Sequence, residues 1–167
     1  MKLRAPVPDV MKDSIYELNP RMFKNRGIRL LMLDVDNTIA PYDDDNASDR
    51  LILWANSMKA AGLELFILSN NHGDRPERFA GELNIGYVKN AKKPFTATAL
   101  RVLEEYGIPA GEAAVIGDQI YTDALCAKCI GAMAVVVRPI KFTNIWLYLR
   151  YGLEKPFRWA YKDKKGR

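Results

Sequence analysis

Seven side chains are placed where they could act together. Asp34, Asp36 and Thr38 close the apolar run Leu30–Val35, and Ser69 follows a second run, Leu63–Leu68. Asp118 follows a third, Ala113–Gly117, with Asp123 close behind, and a lysine, Lys92 or Lys93, precedes Pro94. Taken singly, each has a plain structural explanation, because an Asp or a Ser-Asn pair at a strand end is usually a helix cap or a turn. Taken together they do not. Four acids gathered at one edge of a sheet repel one another unless a cation neutralises them. Ligands that are all oxygen suit magnesium.

That gathering requires a particular scaffold. The apolar runs are short and aliphatic or β-branched, and stretches of helical spacing separate them. Strands are expected at Leu30–Val35, Leu63–Leu68, Ile85–Val88, Ala113–Gly117 and Ala132–Val137. Helices are expected at Leu51–Ala61, Arg75–Leu83, Phe95–Tyr106 and Asp123–Ile130, with Gly62 and Gly107 as stops. Strands apolar on both faces and alternating with helices predict a parallel sheet covered by helices. In such folds ligands bind outside the carboxyl ends of the strands, where the seven side chains fall.

The ordered set DVDNT, SNN, KKP and GDQIYTD resembles the four motifs of the haloacid dehalogenase (HAD) superfamily, over about Leu30 to Val137. The finer pattern is similar to the IIIA subclass called YqeG-like, related to mitochondrial phosphatidylglycerophosphate phosphatases. Pro8, Ile15 and Gly27 before the first strand also resemble that group. The resemblance implies a Rossmannoid three-layer α/β sandwich with a five-stranded, mainly parallel sheet. It implies a magnesium-dependent phosphomonoester hydrolase working through an aspartyl-phosphate. Asp34 would be nucleophile and metal ligand. Asp36 would be general acid, then base, its backbone carbonyl touching the metal. Thr38, Ser69 and Asn70 would bind phosphate, and Lys93, with Lys92 as fallback, would bridge nucleophile and phosphate. Asp118 would ligate the metal, with Asp123 in support. The family inserts its caps after Asp36 or after Ser69, and neither interval has room for more than a flap near Pro41 to Asp45, a helix and a strand. A capless site implies a large substrate, with phosphatidylglycerophosphate as the best single choice. A protein or nucleic-acid phosphatase is the alternative, as is a non-catalytic RNA or assembly factor that keeps the site.

Composition bounds the rest. The 167 residues are read as one domain, with a core over about 28–140 and a separate segment over 141–167. From Arg138 onward there are nine basic and two acidic residues, a net +7, which leaves −2 for the first 137. In this segment Trp146, Tyr148, Tyr151, Phe157, Trp159 and Tyr161 interleave with Arg150, Lys155, Arg158 and the Lys162–Arg167 cluster. That composition suits an anionic membrane interface or RNA, or aromatic packing onto the body with a solvated basic run. Met1 to Val10 holds no apolar run of the export type, and Cys126 and Cys129 are too few for a disulfide framework. A cytoplasmic protein is expected, with peripheral contact at the inner face of the membrane. Cys126-Ala-Lys-Cys129 lacks the second pair that zinc needs and reads as buried small residues. His72, Asp43–Asp45 and the pair Asp74-Arg75 read as exposed loop, solvated flap and helix start.

Overall fold

The computed structural model describes residues 5–141 and 145–165. Its sheet is built from β1 (Val10–Lys12), β2 (Leu30–Leu33), β3 (Glu64–Leu68), β4 (Gly86–Val88), β5 (Ala113–Gly117) and β6 (Met133–Val137). The spatial order is β1-β6-β5-β2-β3-β4, and every adjacent pair is parallel. Strands β5, β2 and β3, which carry the acidic and serine motifs, are therefore neighbours at the centre.

The sheet has six strands, not the expected five, and is parallel throughout. The additional strand, β1, pairs with β6 through Val10 against Val135 and Lys12 against Val137. Three residues, Val-Met-Lys, are too short to show a period, and one of them is charged. Asp9 fixes the pairing, donating its N–H to the Ala134 carbonyl and accepting the Ala134 N–H.

Alternation along the strands separates two apolar layers. Leu31, Leu33, Leu65, Ile67, Ala114 and Ile116 face α2 (Asp49–Ala60) and α3 (Arg75–Leu83), through Leu51, Trp54, Met58 and Phe79. Leu30, Met32, Phe66, Leu68, Ala113 and Val115 face α4 (Ala97–Tyr106) and α5 (Leu125–Ile130), through Val102, Leu103 and Cys126. Burying each leucine, isoleucine, valine, methionine or phenylalanine among them contributes about 1.5–3 kcal/mol. The lead-in segment, with α1 (Pro20–Lys24), joins the first layer through Phe23, and Trp54 donates its indole N–H to the Leu18 carbonyl.

Helix boundaries follow local chemistry. Helix α2 begins at Asp49 because Ser48 accepts the Leu51 N–H at 3.2 Å. The helix expected at Asp123–Ile130 is preceded by a π-helical turn, Ile120–Ala124, which continues into α5. The chain ends in α6 (Ile145–Leu153) and α7 (Lys155–Lys165). Among the described residues no helix is long and apolar enough to cross a membrane.

Candidate active site

At the carboxyl edge of β2, Asp34 is held by its backbone N–H on the Ile116 carbonyl, and its side chain is buried. One carboxylate oxygen lies 2.9 Å from Lys93 Nζ, and the other faces the Thr38 hydroxyl at a long 3.4 Å. Lys93 Nζ also lies 2.7 Å from Asp123 Oδ1. Lys93 is thus the buried lysine of the pair, and Lys92 is exposed. Burial pushes the Asp34 carboxyl up, Lys93 pulls it down, Asp123 raises it again, and it settles at about 6. Burial also pulls on Lys93, but Asp123 and Asp34 outweigh it and hold the ammonium charged.

Two backbone features bring Asp123 to this point. The wide π turn carries it back toward the strand end, where its Oδ2 accepts the Gln119 N–H at 3.2 Å. It rests on Gly117, where an added Cβ would fall 2.1 Å from that same Oδ2, so only glycine leaves the carboxylate room. Asp34, Asp118 and Asp123 each place an oxygen within 4.8 Å of the others. Among the described residues the buried charges are four carboxylates (Asp34, Asp118, Asp123 and Glu154) against Lys93 and Arg158. That excess of two negative charges and the all-oxygen donor set fit a hard divalent cation.

Asp36 sits farther out. Its Oδ1 is 2.8 Å from Arg75 Nε, and its Oδ2 accepts from Asn71 Nδ2 at 2.8 Å. The terminal nitrogens of Arg75 donate to the carbonyls of Pro41 and Asp44, and its guanidinium lies over the Phe79 ring. One arginine therefore ties the flap to Asp36. The sequence placed Arg75 only as a helix start; its role lies in contacts across more than 30 residues, which spacing does not reveal. Asn37, at φ 62°, turns the motif back, and its side chain exchanges two hydrogen bonds with the Lys141 backbone.

Ser69 is buried at the end of β3, its hydroxyl accepting the Asn71 N–H. The Asn70 amide clamps the Lys93 backbone, accepting its N–H at 2.7 Å and donating to its carbonyl at 2.9 Å. Its side chain thus serves the lysine loop, on which Lys92 takes a positive φ of 58°. His72 and Asp43–Asp45 are exposed, with Asp43 paired to Lys141; Cys126 is buried and Cys129 half-buried, both as free thiols.

The C-terminal helices meet the site from the side. Glu154 and Arg158 are buried and pair at 2.8 Å. Glu154 Oε1 accepts the Ile120 N–H at 2.8 Å, and Arg158 donates to the Asp118 carbonyl at 3.2 Å. Phe157 packs edge-on against Tyr121. Tyr148, Leu149, Leu153 and Trp159 remain exposed. The side chains of Trp146, Arg150 and Lys162 to Arg167 lie outside the described residues.

Comparison with known proteins identifies the family. Residues 2–140 match the family model described as mitochondrial PGP phosphatase. Probable phosphatase YqeG of Bacillus subtilis (strain 168) is 32% identical over 134 residues, 80% of this chain and 78% of that protein. Among solved structures, a hypothetical protein from Xanthomonas campestris superposes with TM-score 0.56 at 17% identity, over 88% of this chain and 79% of the other. The 3-deoxy-D-manno-octulosonate 8-phosphate phosphatase of Moraxella catarrhalis, solved with magnesium, phosphate and KDO, gives TM-score 0.50 at 20% identity, over 60% and 64%. At these identities the two structures show a shared fold. The family match spans most of the chain and the curated relative is a probable phosphatase of the same size class, so the chain belongs to the PGP-phosphatase family, the YqeG-like HAD phosphatases.

Proposed function

We propose that this protein is a magnesium-dependent phosphomonoesterase whose nucleophile is Asp34 and whose best substrate is phosphatidylglycerophosphate. The observation that carries the reading is the buried Asp34–Lys93–Asp123 contact beside Asp118. A carboxylate attacks a phosphate dianion only where the mutual repulsion is cancelled. Lys93 supplies one positive charge at 2.9 Å from the attacking group. Asp34 and Asp118, with the Asp36 carbonyl and with Asp123 in support, would hold magnesium, whose charge would further screen nucleophile from phosphate.

In the first half-reaction an Asp34 oxygen forms a bond to phosphorus while the bond to the leaving oxygen breaks. Asp36 gives that oxygen its proton, and the alcohol departs. In the second, Asp36 takes a proton from water, the water oxygen bonds to phosphorus, and the acyl phosphate releases Asp34 and inorganic phosphate. Thr38 and Ser69 hold phosphate oxygens at the strand ends. Each proton transfer contributes about 10²–10⁴-fold.

The substrate reading is supported by the short intervals from Asp36 to Ser69 and from Ser69 to Lys93, which hold one helix and one strand each and no cap domain, by the family match and by the outer surface of the terminal helices. Tyr148, Leu149, Leu153 and Trp159 are exposed there, and the sequence that follows them is basic, a composition that suits an anionic bilayer. The test is phosphate release from phosphatidylglycerophosphate in anionic vesicles, from nucleotides and from phosphopeptides, with magnesium and with excess chelator. Hydrolysis of the lipid above the other substrates, abolished by chelator, is expected, and full activity in chelator would remove the metal from the mechanism. Trp159→Ser with Leu149→Ser should lower vesicle activity more than activity on a soluble aryl phosphate. Preference for RNA ends or phosphopeptides without vesicle binding would contradict the lipid assignment.

A further inference from the structure

We infer that Glu154 and Arg158 are positioning residues for the Asp118 loop, and that the chain from Tyr151 onward is a working part of the site. The inference rests on the reading of Asp118 as a metal ligand.

The two residues are 1% and 8% exposed, in a segment whose composition suits a membrane or RNA interface as well as packing onto the body. A buried ion pair seldom stabilises by itself, because desolvation offsets most of the attraction. This pair is not spent on itself. Glu154 divides its oxygens between Arg158 and the Ile120 N–H, and Arg158 spends one nitrogen on both Glu154 and the Asp118 carbonyl. The backbone between Asp118 and Ile120 is thus gripped through an acceptor at one end and a donor at the other. Gln119, between them, donates its own N–H to Asp123. Both carboxylates of this loop lie in the cluster that fits a cation, so their aim depends on how the loop is held.

The grip is itself braced. The Arg158 guanidinium lies 4.1 Å over the Tyr151 ring, Phe157 packs against Tyr121, and the Tyr121 hydroxyl donates to the Leu153 carbonyl at 3.0 Å. These contacts seat the joint between α6 and α7 on the π turn. The outer side of the same joint exposes Leu153 and Trp159, so one element has an inner face on the loop and an outer face open to solvent.

Groups that orient metal ligands from behind typically change metal affinity by about 10–100-fold when removed. The test is a magnesium titration of the full chain, without substrate, followed by the shift in melting temperature, for wild type, Glu154→Ala, Glu154→Gln and Arg158→Met. Unfolding in denaturant without magnesium measures stability separately. Glu154→Ala and Arg158→Met should require about 10–100-fold more magnesium for half-maximal stabilisation. Glu154→Gln can still accept the Ile120 N–H and should recover part of that loss. It also decides the matter if Glu154→Ala does not fold. Removal of Tyr151 to Arg167 should lower activity on a soluble aryl phosphate as well as on vesicles, because it takes away Glu154 and Arg158 together with Trp159. Wild-type magnesium affinity in Glu154→Gln and Arg158→Met, at whatever stability, overturns the inference. A wild-type chain that magnesium does not stabilise overturns the metal reading itself.

Discussion

Asp34 and Asp36 are two residues apart, yet the fold gives them opposite surroundings. Asp34 is sealed between strands and shares one ammonium, Lys93, with a third carboxylate. Asp36 keeps 16% of its side chain exposed and has an arginine and an amide to itself. In a strand, residues two apart share a side, but β2 has ended at Leu33 and the chain then turns through the left-handed Asn37. The difference suits different tasks. A nucleophile benefits from dry, fixed charges, whereas a group that gives a proton and then takes one must face leaving group and water in turn.

The largest effect expected from breaking this division is at the inner acid. Asp34→Asn should lower turnover by on the order of 10⁴-fold or more with the fold intact, since the amide keeps the shape and loses the nucleophile. Phosphate release within a factor of ten of wild type would refute the assignment. Lys93→Met should also abolish turnover. It leaves Asp34 and Asp123 facing each other without their cation, so it should destabilise the metal-free protein by about 3–5 kcal/mol in denaturant unfolding.

At the outer acid the loss should depend on the substrate. Asp36→Asn should cost about 10²–10⁴-fold on an alkyl phosphate and far less on nitrophenyl phosphate, whose leaving group needs little protonation. Equal losses on both would show that Asp36 is not the acid. Arg75→Ala should follow the same pattern more weakly, by about 10–100-fold on the alkyl ester, the worth of a charged hydrogen bond. Arg75→Lys should rescue it poorly, because an ammonium cannot reach Asp36, Pro41 and Asp44 together.

The smallest effect is one of pH. In metal-free protein the folded Asp34 carboxyl is raised from 3.8 to about 6. The fold therefore prefers it protonated, and its share of stability, complete below about pH 4, is lost as pH rises through about 6. Asp34→Asn carries no such charge. In excess chelator its stability relative to wild type should rise between pH 4 and 7 and level off above. A difference independent of pH would place Asp34 in ordinary solvent.

The separation of inner and outer acids was only partly legible in the sequence. Residue types and the carboxyl ends of apolar runs placed Asp34, Ser69 and Asp118 at one edge of one sheet, because unbroken apolar runs register burial directly; that their strands are neighbours is set by the fold. Strand β1 was not legible, since three residues carry no period. Neither were Arg75, Glu154 and Arg158. Each is an ordinary surface type by composition, and each acts on backbone groups 30 to 40 residues away, a relation that only the folded chain creates. Asn70 shows the same limit, because its side chain is committed to the Lys93 backbone.

The residue to which phosphorus becomes attached decides whether Asp34 is the nucleophile. Labelled substrate, quenched in acid during turnover and followed by peptide mapping, should place a phosphoryl group on the peptide containing Asp34. The label should be lost to hydroxylamine, as an acyl phosphate is, and be absent from Asp34→Asn. A label on another residue, or steady turnover with no acyl phosphate at any quench time, would contradict it.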